Sequence, residues 1–303
     1  MTGIHLALSR NPKTYRAGAR GCCTIEDAND ARRAADVIGI PFYVWDLSDR
    51  FHDDVVEDFR SGYAAGRTPN PCLRCNEKIK FAAVLDRALA LGYDAVATGH
   101  YAQLRTGPDG LVEMHRAEAA ARGLLVAEKP DSHDICFISD GDTGGWLREK
   151  LGRSTGEFVD HDSGEVLGTH EGAFAYTIGQ RRGLRIGTPA ADGRPRYVLD
   201  IEPVSGTVTV GPREALAVDR VSGVRPRWCG AVPDGVLEGT VQLRAHGDEH
   251  RALVRVDGDS VEIELLDPAE GIAPGQSAVL YDGTRVVGSC TITATARSEA
   301  LAL

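Results

Sequence analysis

The chain has 303 residues, enough for two or three domains with a sizeable core, and its 42% hydrophobic and 26% charged content is that of an ordinary globular protein. No apolar run approaches a membrane span, and the opening MTGIHLALSRNPK lacks a signal-peptide layout, so the expectation is a cytoplasmic protein with no membrane partner. A net charge of −10 argues against a general nucleic-acid coat but leaves room for a local basic surface, and seven irregularly spaced cysteines fit reduced thiols better than a disulfide framework.

Ile4, Leu6 and Leu8 alternate as a short strand, and a Gly- and Pro-punctuated loop leads to Cys22-Cys23. Thr24–Asp27 resembles a capping box that opens a helix to about Ile38, with Gly39 as its stop. A buried strand over Phe42–Leu47 follows. Ser48 is then the expected cap of a helix whose Phe51, Val55, Phe59 and Tyr63 share a face, with Asp53, Asp54, Glu57 and Asp58 as its solvated side.

In RTPNPCLRCNEKIKF, Asn70-Pro71 signals a turn into a helix that places Cys72 and Cys75 in its first turn. Ile79, Ala82, Leu85 and Leu89 form the expected apolar face, and Gly92 the stop. Thiols at a helix start sit among unpaired N–H groups and the positive end of the dipole, which predicts a pKa below the ordinary value. Asp94–Thr98 reads as a third strand ending in Gly99-His100. Such strand–helix alternation means a parallel sheet with ligands beyond the carboxyl ends of its strands, near Leu6, Gly99 and His100.

Gln103–His115 has a hairpin pattern, a short helix is expected over Arg116–Arg122, and KPDSHDICFISDGD surrounds Cys136 with apolar residues. From about residue 153 the texture becomes short strands and Gly-rich turns: Phe158–Val166, Val198–Ile201 and Thr207–Val210. From about residue 215, Val236–Arg244, Arg251–Val256, Ser260–Leu265 and Ser277–Tyr281 predict a small closed or nearly closed β-barrel. The expected domains are therefore 1–152, an α/β unit; 153–214, a small central domain; and 215–303, the barrel.

Cys72-Leu-Arg-Cys75 admits half a zinc site, a thioredoxin-like dithiol, or two incidental core cysteines; a second pair at metal spacing is missing. Cys136, between Ile135 and Phe137, reads by itself as a small buried hydrophobe, with His133 and Asp134 nearby. Thr98-Gly99-His100 suits a nucleotide or merely a turn. In FAYTIGQRRGLRIGTPAADGRPRY, Arg181, Arg182, Arg185, Arg194 and Arg196 face Asp192 alone, which suits a phosphate surface or an ordinary solvated loop.

RTPNPCLRCNEKIKF, ATGHYA, KPDSHDICFI, GTHEGAFAYTIGQRRGLRIG and APGQSAVLYDG, in this order, closely resemble the bacterial tRNA-specific 2-thiouridylases over nearly the whole chain. The resemblance implies an adenine-nucleotide-hydrolase-like N-terminal fold and ATP-dependent sulfur transfer to the wobble uridine of tRNA. ATP, with magnesium, activates the C2 oxygen. A persulfide on Cys136, loaded by a sulfur-relay donor protein, delivers sulfur. Cys75 is the partner thiol, closing a disulfide with Cys136 as sulfur leaves, or first releasing hydrosulfide as the nucleophile. Leu6 and Gly99 match ATP-pocket positions, and Asn70, Pro71 and Cys72 match the stretch that meets the target base. His100 and Gln276 match tRNA contacts, with Arg244 near another. Members often carry aspartate where Cys72 stands, which makes it a poor candidate nucleophile. Cys22, Cys23, Cys229 and Cys290 receive no role.

Two departures temper this. The family opens with a strand and an S-G-G-x-D-S pyrophosphate loop, and no such loop occurs in this sequence. That strand is central, so unpaired edges and an uncovered core are expected. A few dozen family residues, including a K-D-Q-S-Y motif, have no counterpart between Arg116 and Glu118. The expectation is a chain that keeps its thiol pair but cannot use ATP as written, and so is catalytically impaired. The alternatives are a tRNA-binding relic or a simple thiol–disulfide protein.

Overall fold

The computed structural model describes residues 1–10, 25–100, 102–116, 135–138, 140–190, 192–244 and 247–298. Thr24 of the capping box, Cys22 and Cys23, Tyr101, residues 117–122 of the expected short helix, and His133 and Asp134 lie outside them. The chain divides into two compact units: residues 1–61, 70–98 and 130–152, and residues 62–69, 99–129 and 153–303.

In the first unit β1 (Gly3–Ala7) pairs in parallel with β2 (Phe42–Asp46), from Gly3↔Phe42 to Ala7↔Asp46. Between them α1 (Ile25–Ile38) ends where expected, at Gly39 in the left-handed conformation, φ +77°. Trp45, Val84 and Ala88 form the buried centre, with Ile4, Leu6, Leu47, Tyr93 and Val96 packed against it. Asp94–Thr98 corrects the expected third strand: it has no ladder partner among the described residues, and only Val96 of it reaches this core. Tyr43 and Val44 of β2 are more than half or half exposed, so the parallel pair is thinly covered.

A helical run follows β2: α2 (Ser48–Phe51), a π-helical stretch His52–Val56, and α3 (Glu57–Ala64). Phe51, Val55 and Phe59 are buried as predicted. Ser48 is not the cap. Its side chain makes no capping bond; instead its N–H donates to Asp46 Oδ1 at 2.9 Å. The cysteine helix is α4 (Pro71–Cys75), a π-helical stretch Asn76–Ala83, and α5 (Val84–Ala90), stopped at Gly92, φ +81°. Its buried stripe is Cys75, Ile79, Ala83, Val84 and Ala88, while the expected Leu85 and Leu89 are exposed. The wider i→i+5 turns of the π stretch rotate the face away from a regular 3.6-residue period. A helix absent from the sequence reading, α6 (Thr143–Leu151), is capped by Asp142, which accepts from Gly145 N at 2.8 Å.

The second unit holds a hairpin, β3 (Ala102–Thr106) and β4 (Val112–Arg116), and a four-stranded sheet ordered β6-β5-β8-β7. Its strands are β5 (Gly156–Asp160), β6 (Val166–His170), β7 (Tyr197–Glu202) and β8 (Thr207–Gly211). The expected single strand Phe158–Val166 is thus two strands around a turn, in which Asp160 accepts from the N–H groups of Asp162 and Ser163. Phe158, Val198, Val208 and Val210 fill the core of this sheet.

The barrel consists of β9 (Ala217–Trp228), β10 (Val236–Gln242), β11 (Glu249–Asp257), β12 (Ser260–Glu270), β13 (Ser277–Asp282) and β14 (Arg285–Ala296). The order β13-β10-β11-β12-β9-β14 is closed by β13–β14, which removes the edges. The long β9 and β14 escaped the sequence reading because bulges interrupt their alternation. β4 adds to this sheet through Arg285↔His115, tied by Arg285–Glu113 at 3.1 Å and by Arg116 stacked 3.6 Å over the Tyr281 ring.

Candidate active site

The start of the cysteine helix is built by its own sequence. Asn70 is the N-cap: its Oδ1 accepts from Cys72 N at 3.0 Å and Leu73 N at 3.3 Å, and Pro71 occupies the first helical position. Cys72 is exposed in this turn, and Cys75, one turn on, is buried. Because Asn70 takes the N–H groups of Cys72 and Leu73, those donors are not left over for a thiolate as the sequence reading supposed.

Arg74 ties this turn to the preceding helical run. Its Nε donates to Asp54 O at 3.3 Å, and the guanidinium reaches Asp58 at 3.6 Å and Glu77 at 3.0 Å. Cys136 is half-buried in a short turn whose next residue, Phe137, is buried. The Phe137 ring meets Phe51 at 6.0 Å, Phe59 at 5.3 Å and Trp146 at 5.5 Å. The segments bearing Cys75 and Cys136, which are 61 residues apart in sequence, are therefore both fastened to the Ser48–Ala64 helical run. No disulfide joins them. Arg74 and Trp146, which the sequence reading did not single out, make these fastening contacts. Glu77 at i+3 was a signal for the first, and Asp142 ahead of an apolar helix for the second.

The other described cysteines differ from this pair. Burial pushes the Cys290 thiol up to about 12, with Glu262 adding to the effect, and burial also raises Cys229. Both belong to the barrel unit and stay protonated at neutral pH.

The remaining predicted site residues divide between the units. Leu6 lies in β1 with its side chain against the Trp45 core. Gly99 and His100, in the other unit, are exposed and outside any strand. Arg244 donates to the carbonyls of Glu270 and Gly271. Gln276 gives its amide N–H to Thr68 O, while Thr68 N donates to Pro274 O at 2.8 Å, so both partners hold one loop.

The described rim of the parallel pair does not fit the phosphates of ATP. The first turn of α1 carries Glu26 and Asp27, and that of α2 carries Asp49. Asp46 is held below the usual carboxylate range by the Ser48 N–H and hydroxyl, so it is charged. Arg10, the nearby cation, is paired with Asp49. Anionic side chains at helix starts oppose phosphate binding.

A family profile described as the tRNA methyl transferase HUP domain matches residues 1–119. The tRNA methyl transferase PRC-barrel domain matches residues 144–212, and the aminomethyltransferase β-barrel domain matches residues 218–292. A tRNA-specific 2-thiouridylase MnmA from Nocardioides sp. is 70% identical over 99% of this chain and 93% of its own length. The chain belongs to the tRNA-specific 2-thiouridylase family. Members bearing the same name from Streptomyces coelicolor and Acidothermus cellulolyticus are 59% and 57% identical, over 99% and 98% of this chain and 90% and 92% of theirs. The fold class expected from the motifs is that of the family: a HUP unit, a small middle domain and a closed β-barrel. The Nocardioides alignment runs over 340 positions against 303 residues here, so that 2-thiouridylase carries residues with no counterpart in this chain.

Proposed function

We propose that this chain thiolates C2 of uridine in tRNA, with Cys136 carrying the sulfur and Cys75 closing on it. The observation that carries the proposal is the shared anchorage of both cysteine segments on one helical run in one compact unit, in a chain 70% identical to a named 2-thiouridylase. The terminal sulfur of a Cys136 persulfide bonds to C2, and the activated C2 oxygen departs. The Cys75 thiolate attacks Cys136 Sγ, the S–S bond of the persulfide breaks, and both its electrons stay with the sulfur now on the base. Two protons are released, and the resulting Cys75–Cys136 disulfide needs a dithiol reductant before the next round. An intraprotein attack needs no solvent access, so the burial of Cys75 protects its thiol between turnovers.

ATP would supply the activation of the C2 oxygen in this reading, with Leu6 and Gly99 each proposed as an adenosine contact, although the described helix starts offer its phosphates no site. Asn70, Pro71 and Cys72 are proposed to meet the base, and His100, Arg244 and Gln276 the tRNA. A sulfur-relay protein is the proposed donor, and the cytoplasm the proposed location. No helix among the described residues is long and apolar enough to cross a membrane. We propose domains 1–152, 153–214 and 215–303, with the β3–β4 hairpin as an arm that β14 takes up.

The test is 2-thiouridine formation in a tRNA transcript, read by mercury-gel retardation, with ATP and a persulfide donor. Cys75→Ser and Cys136→Ser should each lose at least about a hundredfold in rate, about 2.7 kcal/mol of barrier, while Cys72→Ser keeps most of it. A Cys136→Ser chain that thiolates normally would remove the proposal.

A further inference from the structure

The five arginines of residues 174–197 are not equivalent. Arg196 is spent inside the protein: it pairs with Asp160 at 3.6 Å and donates to Thr188 O at 2.6 Å, with its side chain only 13% exposed. Arg194 pairs with Asp192 at 3.8 Å and Glu214 at 3.4 Å. Arg181, Arg182 and Arg185 are all exposed, and their guanidinium groups have no ion pair or hydrogen bond among the described residues.

The loop that carries these three is fixed, not slack. Gly179 N donates to Val198 O at 2.8 Å, and Val198 N returns a bond to Gln180 O at 2.9 Å. The Gln180 side chain accepts from Thr177 N at 3.1 Å and donates to Arg182 O at 2.9 Å. Leu184 is buried in the core of the middle sheet, and Ile186 packs against the same cluster. Arg185, between these two anchors, has φ +53°, a left-handed backbone that side-chain-bearing residues rarely adopt. Glycine would be the relaxed choice there, so the conformation is carried alongside an exposed charge. A rigid loop that presents three unpaired guanidinium groups in five residues suits a row of phosphates, which arginine binds in its planar fork. On a chain of net charge −10, such a local cationic surface selects a strongly anionic partner.

We infer that Arg181, Arg182 and Arg185 form a contact surface for the phosphate backbone of the RNA substrate. This rests on the tRNA reading above and adds to it a surface on the middle domain, apart from the cysteine unit. The three side chains position the RNA and read no base.

The test is binding of a fluorescein-labelled tRNA transcript to the full chain by anisotropy, titrated across KCl concentrations. Arg181→Gln/Arg182→Gln/Arg185→Gln should reduce the slope of log K against log [KCl] by about 2 to 3, at roughly 0.7 to 0.9 for each phosphate contact. Affinity near 100 mM KCl should fall at least about tenfold. Arg194→Gln, which removes an internally paired arginine from the same loop, should leave the slope unchanged. Arg185→Gly should lower the slope by about 1 while its Tm stays at or above that of the parent, which separates lost contact from lost folding. A parent chain that binds while the triple variant keeps the parent slope overturns this surface alone. A parent chain that does not bind tRNA overturns the tRNA reading and this surface with it.

Discussion

The five described cysteines illustrate how position decides chemistry. Cys290 faces the barrel core across the narrow space beside Gly223, where a Cβ would come within 2.4 Å of its sulfur. Its thiol is pushed up to about 12 by burial and Glu262, and Cys229 is raised by burial as well. An aromatic disulfide reagent at pH 7.5 should therefore leave buried Cys290 unmodified in the folded chain and label it only in denaturant, while half-buried Cys229 reacts slowly. Peptide mapping of the labelled sites checks this, and rapid labelling of Cys290 in the native protein would refute the placement. Cys72, exposed on the first turn of its helix, should be labelled fast.

At the scale of elements, the same helix start offers a stability test. Asn70 satisfies two orphan N–H groups, so Asn70→Ala should cost about 1 kcal/mol of unfolding free energy, and Asn70→Asp much less. Urea denaturation of the first unit reads this, and an Asn70→Ala chain with an unchanged midpoint would show that the cap contributes nothing.

The middle sheet supplies a pH test. His170 is buried between Phe158 and Tyr176, ring centroids 4.9 and 5.1 Å away, and desolvation lowers its pKa below the ordinary 6.5. The unfolded chain takes up that proton near pH 6.5 while the folded imidazole stays neutral to lower pH. Stability is therefore intact above about pH 6.5 and falls as the pH drops towards the folded value. His170→Asn should flatten this part of the profile, and an unchanged profile would contradict it.

Much of this scale was legible in the sequence. The helix entry at Asn70-Pro71, the stops at Gly39 and Gly92, and four of the six barrel strands follow from local turn chemistry and alternation. What was not legible depends on neighbours distant in sequence. A strand at Asp94–Thr98 needs a ladder partner. The buried face of the cysteine helix depends on its π-helical stretch. The roles of five similar arginines depend on which carboxylates the fold brings near.

For the whole molecule, Tyr43, Val44, Phe81, Leu85 and Leu89 of the first unit leave large apolar surfaces in solvent. Acidic side chains stand at the described helix starts around the parallel pair. The proposed attack of Cys75 on a Cys136 persulfide does not depend on a phosphate cradle, because both side chains are carried by one unit. Sulfur transfer can therefore be tested without ATP or tRNA.

That separation sets the decisive measurement. The chain is loaded with persulfide by inorganic polysulfide, desalted, and followed for hydrosulfide release together with cross-linked peptides by mass spectrometry. Attack of Cys75 on the inner sulfur of a Cys136 persulfide predicts one hydrosulfide released for each Cys75–Cys136 linked peptide. Cys75→Ser should retain the persulfide on Cys136. Hydrosulfide release at the parent rate from Cys75→Ser, or a loaded parent chain that never forms the linked peptide, would contradict the pairing of these two cysteines.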